Sequence, residues 1–403
     1  MTNISVTPVL ISLLEWLVIS IPVLVAVAYL TLAERKVLGL QQLRKGPSIV
    51  GFYGITQPLA DGVKLFSNEF LIPSHASVAL YVVSPIIAFM CGLSVWYLMP
   101  WSYNASTSNY HFGLLIILAI SSLGIYGLLM SGWGSKSKYA FLGAVRAVAQ
   151  MISYEVSMGL LIMNVVIVTQ SYNLHSIASV QSLTGWLAFG LWPVALMMFV
   201  SCLAETNRAP FDLTEGESEL VSGYNVEYAS MPFALFFLAE YSHIIFMSFL
   251  MVVLFAGSSE ILGFRLWTLC LKGTIVTYVF IWVRNTFPRL RYDQVMHLLW
   301  KSYLPLAVAF LLVNTLLLTF PYNEVPGLVH ELLRLNDQFV RNVWWFIKQV
   351  FEIIRAIAGV NEHGKVWYAC LSCFIVAHLY FTYFTEPESE EGSEANKSES
   401  QTK

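Results

Sequence analysis

Apolar residues in this chain fall in long unbroken runs separated by short polar connections. Runs near residues 9–33, 77–99, 112–130, 141–169, 185–204, 230–256, 267–283 and 302–320 approach or exceed the roughly 20 residues that cross about 30 Å of hydrocarbon. A less regular run lies near 365–384. Lipid offers no partners to backbone amides, whereas helices pair those groups internally. The pattern therefore predicts an all-α polytopic membrane protein with eight core transmembrane helices and a candidate ninth span.

Between the runs the period changes. Residues 57–68 predict a helix lying in the membrane interface. Pro58 suits its first turn, Leu59, Val63 and Phe66 form one stripe, and Gln57, Asp61, Lys64 and Asn68 form the other. Such a helix either anchors at the surface or shapes a lateral opening for an apolar ligand. Residues 337–358 repeat the theme, setting Asp337, Arg341, Lys348, Glu352 and Arg355 against a Trp, Phe and Ile face. Glu386 to Lys403 is Ser- and Glu-rich and predicts disorder. The expected organisation is a membrane domain over 1–321, an extension over 322–385 and an acidic tail over 386–403.

Mean hydropathy of +0.65 excludes an ordinary soluble domain. A net charge of −3 without a dense basic cluster excludes nucleic acid as a partner. The basic residues are unevenly placed. Arg35, Lys36, Arg44, Lys45 and Lys64 follow the first run, Lys136, Lys138 and Arg146 follow the third, and Arg208 follows the fifth. Arg284, Arg289, Arg291 and Lys301 follow the seventh, whereas the opposite connections 100–111, 170–184 and 257–266 hold only Arg265. By the positive-inside rule the basic loops face the cytoplasm or the mitochondrial matrix and the N-terminus faces out. The first 14 residues carry no Lys or Arg and lead into a full-length run, so no cleavable targeting segment is expected.

Cofactor signals are missing from the sequence. The cysteines at 91, 202, 270, 370 and 373 are scattered, and the Cys370–Cys373 spacing sits in an apolar run with no second pair, which favours packing over metal ligation. Neither a dinucleotide glycine fingerprint nor a phosphate loop is present. The expectation is a chain that binds no metal and carries no redox cofactor alone.

Charge chemistry concentrates at 205–227, where Glu205, Asp212, Glu215, Glu217, Glu219 and Glu227 surround Arg208. An ionised side chain at the bilayer centre costs at least ~2.5–3.5 kcal/mol, so acids beside spans point to protons, cations or a polar partner. Glu155 lies inside the fourth run, and Glu240 lies inside the sixth with His243 three residues on. The plain alternative for Glu155 and Glu240 is a buried structural pair, and His243 reads as a hydrogen-bonding neighbour. Glu34 and Arg35 read equally as an interfacial pair or as functional groups, and Glu15 reads as solvated. The basic turns 44–47 and 284–291 serve topology or order the acids.

Four motifs then become specific in combination. They are Glu34-Arg-Lys-Val-Leu-Gly-Leu-Gln-Gln-Leu-Arg-Lys-Gly-Pro47, Ala144-Val-Arg-Ala-Val-Ala-Gln-Met-Ile-Ser-Tyr-Glu155, the stretch from Ala204 to Tyr228, and Arg289-Leu-Arg-Tyr-Asp-Gln294. Residues 8–321 resemble subunit 1 of NADH:ubiquinone oxidoreductase, respiratory complex I, in its mitochondrial form. The resemblance implies a core membrane subunit that forms the quinone access channel and chamber at the junction with the peripheral arm. It also implies coupling of quinone reduction to proton translocation, with no complete active site in this chain alone. Arg35, Arg44, Asp61, Arg208, Phe211, Asp212, Glu215 and Tyr228 would line the channel and chamber. Glu155, Glu205, Glu217, Glu219, Glu227 and Glu240 would relay protons or charge toward the antiporter-like subunits. Ubiquinone would be substrate, with FMN and iron–sulfur clusters held by partner subunits.

The implied partners are peripheral-arm subunits on the matrix side, small membrane subunits laterally, and lipid. The implied location is the mitochondrial inner membrane with the N-terminus toward the intermembrane space, the bacterial plasma membrane being the alternative. Ser48 and Phe70 depart from the family's more frequent Asn and Pro. Residues 322–403 have no counterpart in the usual subunit, which leaves lineage-specific accessory subunits as their candidate contact. The rival readings are a self-sufficient cation or proton transporter, the membrane anchor of a related hydrogenase complex, and a structural scaffold. The first usually shows repeated halves with broken helices, and no repeat is evident here.

Overall fold

A computed structural model describes residues 6–101, 110–213, 223–257 and 265–319, all within one compact unit, Met1–Thr319. The 337–358 helix, the 365–384 run, the tail and Cys370 and Cys373 lie outside the described residues. No strand forms among the described residues. The first helix, α1 (Val6–Gln41), runs past its apolar stretch because Glu34, Arg35 and Lys36 continue the turn. It is followed by α2 (Gln57–Ser67), α3 (Val78–Ser94, extended by a 3₁₀ turn to Leu98), α4 (Gly113–Ser135) and α5 (Lys138–Thr169). Then come α6 (Leu174–Thr184), α7 (Leu187–Gly190), α8 (Trp192–Glu205), α9 (Ser230–Met251), α10 (Arg265–Thr286), α11 (Tyr292–His297) and α12 (Leu304–Thr319).

Seven helical stretches among the described residues are long and apolar enough to cross a membrane. The expected fifth span behaves differently. The run 185–204 breaks at Leu191 (φ −113°, ψ 37°), and the helix restarts at Trp192 with Pro193 in its first turn. The restarted α8 has 14 residues, or about 21 Å of rise, short of the roughly 30 Å of hydrocarbon. A count of eight spans therefore depends on this short, broken segment.

Two other helices change pitch. A π-helical stretch, Val252–Ala256, continues α9, and another, Leu298–Tyr303, joins α11 to α12. Pro305 follows the second; it lacks an amide proton, and its ring crowds the preceding turn. At the first, Gln181 Nε2 donates to Val253 O and Leu254 O at 2.9 and 3.0 Å. Lys272 Nζ donates to Ala256 O and Gly257 O at 2.9 and 2.8 Å. The connection 170–184 is thus partly a helix, capped by Asn173 Oδ1, rather than a plain loop.

Small residues set the spacing of the bundle. Gly127 lies against the backbone of Ser84 and Ala88, Gly132 against Ala144, and Gly92 against Ala239, so α3, α4, α5 and α9 approach closely. A helix, α2, forms over the residues expected of the interfacial element. Its Leu59, Val63 and Phe66 are exposed, and Ser230 Oγ ties its C-terminal end to α9 through Leu65 O and Asn68 O. Glu15 is not merely solvated, because Tyr97 Oη donates to it at 3.4 Å.

Candidate functional site

The chain leaves α8 at Glu205 and folds back through 206–213. Left-handed Asn207 makes the turn, and Gln150 Nε2 on α5 holds it, lying 2.9 Å from Ala204 O, 3.1 Å from Asn207 Oδ1 and 2.8 Å from Phe211 O. This return drives Arg208 into the protein, where only 7% of it is exposed.

Two helices meet Arg208, and a third reaches the cluster through Glu34. Arg208 Nη1 donates to Glu34 Oε1 of α1 at 2.9 Å, and its Nε lies 3.1 Å from Glu240 Oε1 of α9, close enough for an ion pair though off the hydrogen-bond axis. The guanidinium also sits 4.6 Å from the centre of the Tyr241 ring. Tyr241 Oη donates to Glu34 Oε2 at 2.6 Å, and Arg284 of α10 pairs with Glu34 Oε1. Burial opposes the Arg208 charge, but Glu240 and Glu34 outweigh it and hold the guanidinium above its ordinary value.

Around this cluster the expected site residues separate into groups. Phe211 is buried edge-on against Tyr154, and Asp212 is buried with Arg289 Nη2 at 3.2 Å from its Oδ2. Arg35 turns away from its neighbour Glu34, pairing at the surface with Asp61 at 2.8 Å and so joining α1 to α2. Arg44 is exposed on the following turn and donates to Gln42. Tyr228 is buried, stacked on Tyr81 at 4.2 Å, with its hydroxyl 2.9 Å from that of Ser84. Burial, reinforced by Tyr81, raises its phenol to about 12 despite the Ser84 hydrogen bond. The Glu227 carbonyl accepts from Tyr81 Oη at 2.8 Å. Glu215, Glu217 and Glu219 lie outside the described residues.

Within the bundle, Glu155 on α5 accepts from Ser122 and, at 3.4 Å, from Ser121 on α4. Glu205 is 1% exposed, and among the described residues neither of its carboxyl oxygens has a hydrogen-bond partner. His243 Nε2 lies 3.9 Å from its Oε1. Glu205, Glu240, His243 and Ser121 all line a cavity of about 80 Å³ among α3, α4, α5, α8 and α9. Among the described residues no group of three or more His, Cys, Asp or Glu side chains is placed to hold a metal ion.

A buried, charge-balanced cluster beside an acid-lined cavity suits movement of protons or charge, and the family comparison supplies the setting. The NADH dehydrogenase family model matches residues 14–315. The NADH-ubiquinone oxidoreductase chain 1 of Metridium senile is 57% identical over 319 residues, covering 78% of this chain and 95% of the relative. The chains 1 of Carassius auratus and Paracentrotus lividus are 54% and 52% identical, covering 74% and 77% of this chain and 92% and 97% of those relatives. The chain belongs to the NADH dehydrogenase chain 1 family. As a chain 1 protein it is a core membrane subunit of respiratory complex I and a multi-pass protein of the mitochondrial inner membrane.

Sequence reasoning missed several residues of the chain 1 cluster. Glu34, which the sequence read equally as an interfacial pair or a functional group, stands at its centre, and Arg284 of the basic turn 284–291 is its second cation. Tyr241, Asn207 and Gln150 are neutral, and no charge signal singled them out. Arg289 and Asp212 were each legible, one in a basic motif and one in the acidic loop, but their pairing was not.

Proposed function

We infer that this subunit forms the quinone access channel and chamber of complex I and couples quinone reduction to proton translocation. The observation that carries the reading is the return 206–213. It holds Phe211 and Asp212 at one end and places Arg208 on Glu34 and Glu240, beside the cavity that Glu205 and Glu240 share. A charge change near Asp212 would reach that cavity through a few buried groups in low dielectric, where opposing charge and desolvation set proton affinity.

In this reading the exposed stripe of α2, with the Arg35–Asp61 pair beside it, flanks the lateral opening through which ubiquinone arrives from the bilayer. Phe211, Asp212 and Tyr228 belong to the chamber, with Arg44 near its mouth and Glu215 in the same acidic loop. Glu155, Glu205, Glu227 and Glu240 pass the change on, joined by Glu217 and Glu219. Electrons reach the quinone from FMN and iron–sulfur clusters of partner subunits, and this chain supplies position and charge. The basic loops face the matrix and the peripheral arm.

The test is Glu155→Gln and Asp212→Asn in the assembled complex. Both variants are expected to lower inhibitor-sensitive NADH:quinone turnover while NADH:ferricyanide electron transfer stays intact. Wild-type quinone turnover in both would remove the assignment.

A further inference from the structure

The cavity wall carries an imidazole that the proton path proposed above does not use. His243 lies one helical turn from Glu240 on α9, and both side chains face the same 80 Å³ space. Among the described residues its buried Nε2 has no hydrogen-bond partner, nor has either oxygen of Glu205 on α8, whose Oε1 lies 3.9 Å away. A buried polar atom normally finds a partner, and leaving one unmade costs about 1–3 kcal/mol. Here three such atoms face one another across a gap slightly too wide for a hydrogen bond. Waters close gaps of this kind, and each needs roughly 10–15 Å³ of accessible space, so the cavity admits a small cluster.

Charge accounting points the same way. Arg208 already serves Glu34 and Glu240, and Glu155 rests on the hydroxyls of Ser121 and Ser122. Among the described residues Glu205 has no cation within hydrogen-bond distance. An isolated buried carboxylate is strongly disfavoured, so this pair is stable with one proton between two sites, either as carboxylic acid beside neutral imidazole or as carboxylate beside imidazolium. The two forms carry the same net charge and differ only in where the proton sits. Other titratable groups at the cavity wall are Cys91 from α3, Tyr224 from the 223–225 turn and Glu240 from α9, with Glu155 behind Ser121.

We propose that His243 is a proton-relay residue of the cavity, exchanging a proton with Glu205 at Nε2 and passing it through cavity water to Glu240. Glu205 gives up its acid proton and becomes carboxylate as the imidazole becomes imidazolium. The imidazolium returns to neutral as Glu240 takes the proton, so the step is balanced and needs no redox partner. This relay rests on the proton-coupling role proposed above for Glu205 and Glu240. It adds a side chain that can both accept and donate a proton at the cavity wall.

The experiment compares His243→Gln, which keeps a polar side chain of similar reach but cannot titrate, with Glu205→Gln in sealed membranes containing the assembled complex. Quinone turnover and proton uptake are measured per assembled complex between pH 5.5 and 9. His243→Gln is expected to lower coupled proton uptake by on the order of 10²-fold, the low end of what a positioned acid–base group contributes, and to change the shape of the pH profile. His243→Asn, shorter and also non-titrating, should behave alike, whereas a merely structural role would leave the pH profile in place in both. A wild-type rate and profile in His243→Gln beside an impaired Glu205→Gln would overturn the relay role of His243 alone. Wild-type behaviour in both would overturn the path on which it rests.

Discussion

Arg208 balances carboxylates from two helices, so deleting it and deleting it together with a partner are not equivalent. Removing one member of a buried ion pair typically costs 3–5 kcal/mol, because the survivor keeps its charge and loses its compensation. In Arg208→Met, Glu34 retains Arg284 and the Tyr241 hydroxyl, whereas Glu240 loses its ion pair with Arg208. Arg208→Met is expected to destabilise the assembled complex by roughly 3–5 kcal/mol, and Arg208→Met with Glu240→Gln to recover part of that loss. Thermal unfolding of the purified complex measures both, and a double variant no more stable than the single one would contradict the charge argument. The cluster's cation does not titrate in the working range, since its affinity for the proton is already above that of an ordinary arginine. Tyr228 behaves similarly: its raised phenol favours the neutral folded form, a contribution complete below pH 10 and lost only as pH climbs through about 12. Any pH dependence near neutrality therefore has another source. At this scale the sequence made Glu155 and Glu240 visible, because a carboxylate inside an apolar run is costly wherever it lands. Glu34 was only half visible, because at the end of a span beside Arg35 it looks equally like a surface pair. Its partner Arg208 lies 174 residues away and reaches it only after the chain folds back.

Helix positions were more legible than helix continuity. The runs that predict α1, α3, α4, α5, α9 and α10 mark stretches that do form single helices, because length and hydropathy suffice to specify a span. The break at Leu191 and the two π-helical stretches are not encoded in hydropathy. They depend on Pro193, Pro305 and on donors such as Gln181 and Lys272 that accommodate displaced carbonyls. Helix spacing is likewise set by glycines whose effect needs the fold to be seen. A Cβ on Gly143 of α5 would lie 2.9 Å from the backbone of Gly223, in the turn leading to Glu227 and Tyr228, whereas one on Gly159 of the same helix meets nothing within 4 Å. Gly143→Ala is therefore expected to destabilise by about 1–3 kcal/mol through overpacking and to lower quinone turnover by displacing that turn. Gly159→Ala should be neutral or stabilise by up to about 1 kcal/mol, the helix-propensity gain. Thermal inactivation of quinone turnover separates them, and equal behaviour of the two variants would mean that the approach of α5 to residues 223–225 is unimportant.

Over the whole chain, family similarity stops where the acid clusters and the cavity stop. The family match ends at residue 315, the relative from Metridium senile aligns over 319 residues and 95% of its own length, and the sequence continues to Lys403. Every group placed in the chamber or the relay lies before that boundary, so the chemistry of the complex should not depend on the C-terminal extension. The in-plane pattern at 337–358 and the acidic stretch after Glu386 are suited instead to a protein contact: an amphipathic face offers apolar area beside the membrane, and a charged stretch sets specificity more than affinity. Deleting 337–403 is thus expected to leave NADH:quinone turnover per complex unchanged while native electrophoresis reports loss of at least one accessory subunit. A deletion complex with full subunit content would remove the contact role from the extension. A complex with full subunit content but low turnover would place part of the catalytic machinery beyond residue 336, against the separation that the charged residues of 34–294 support.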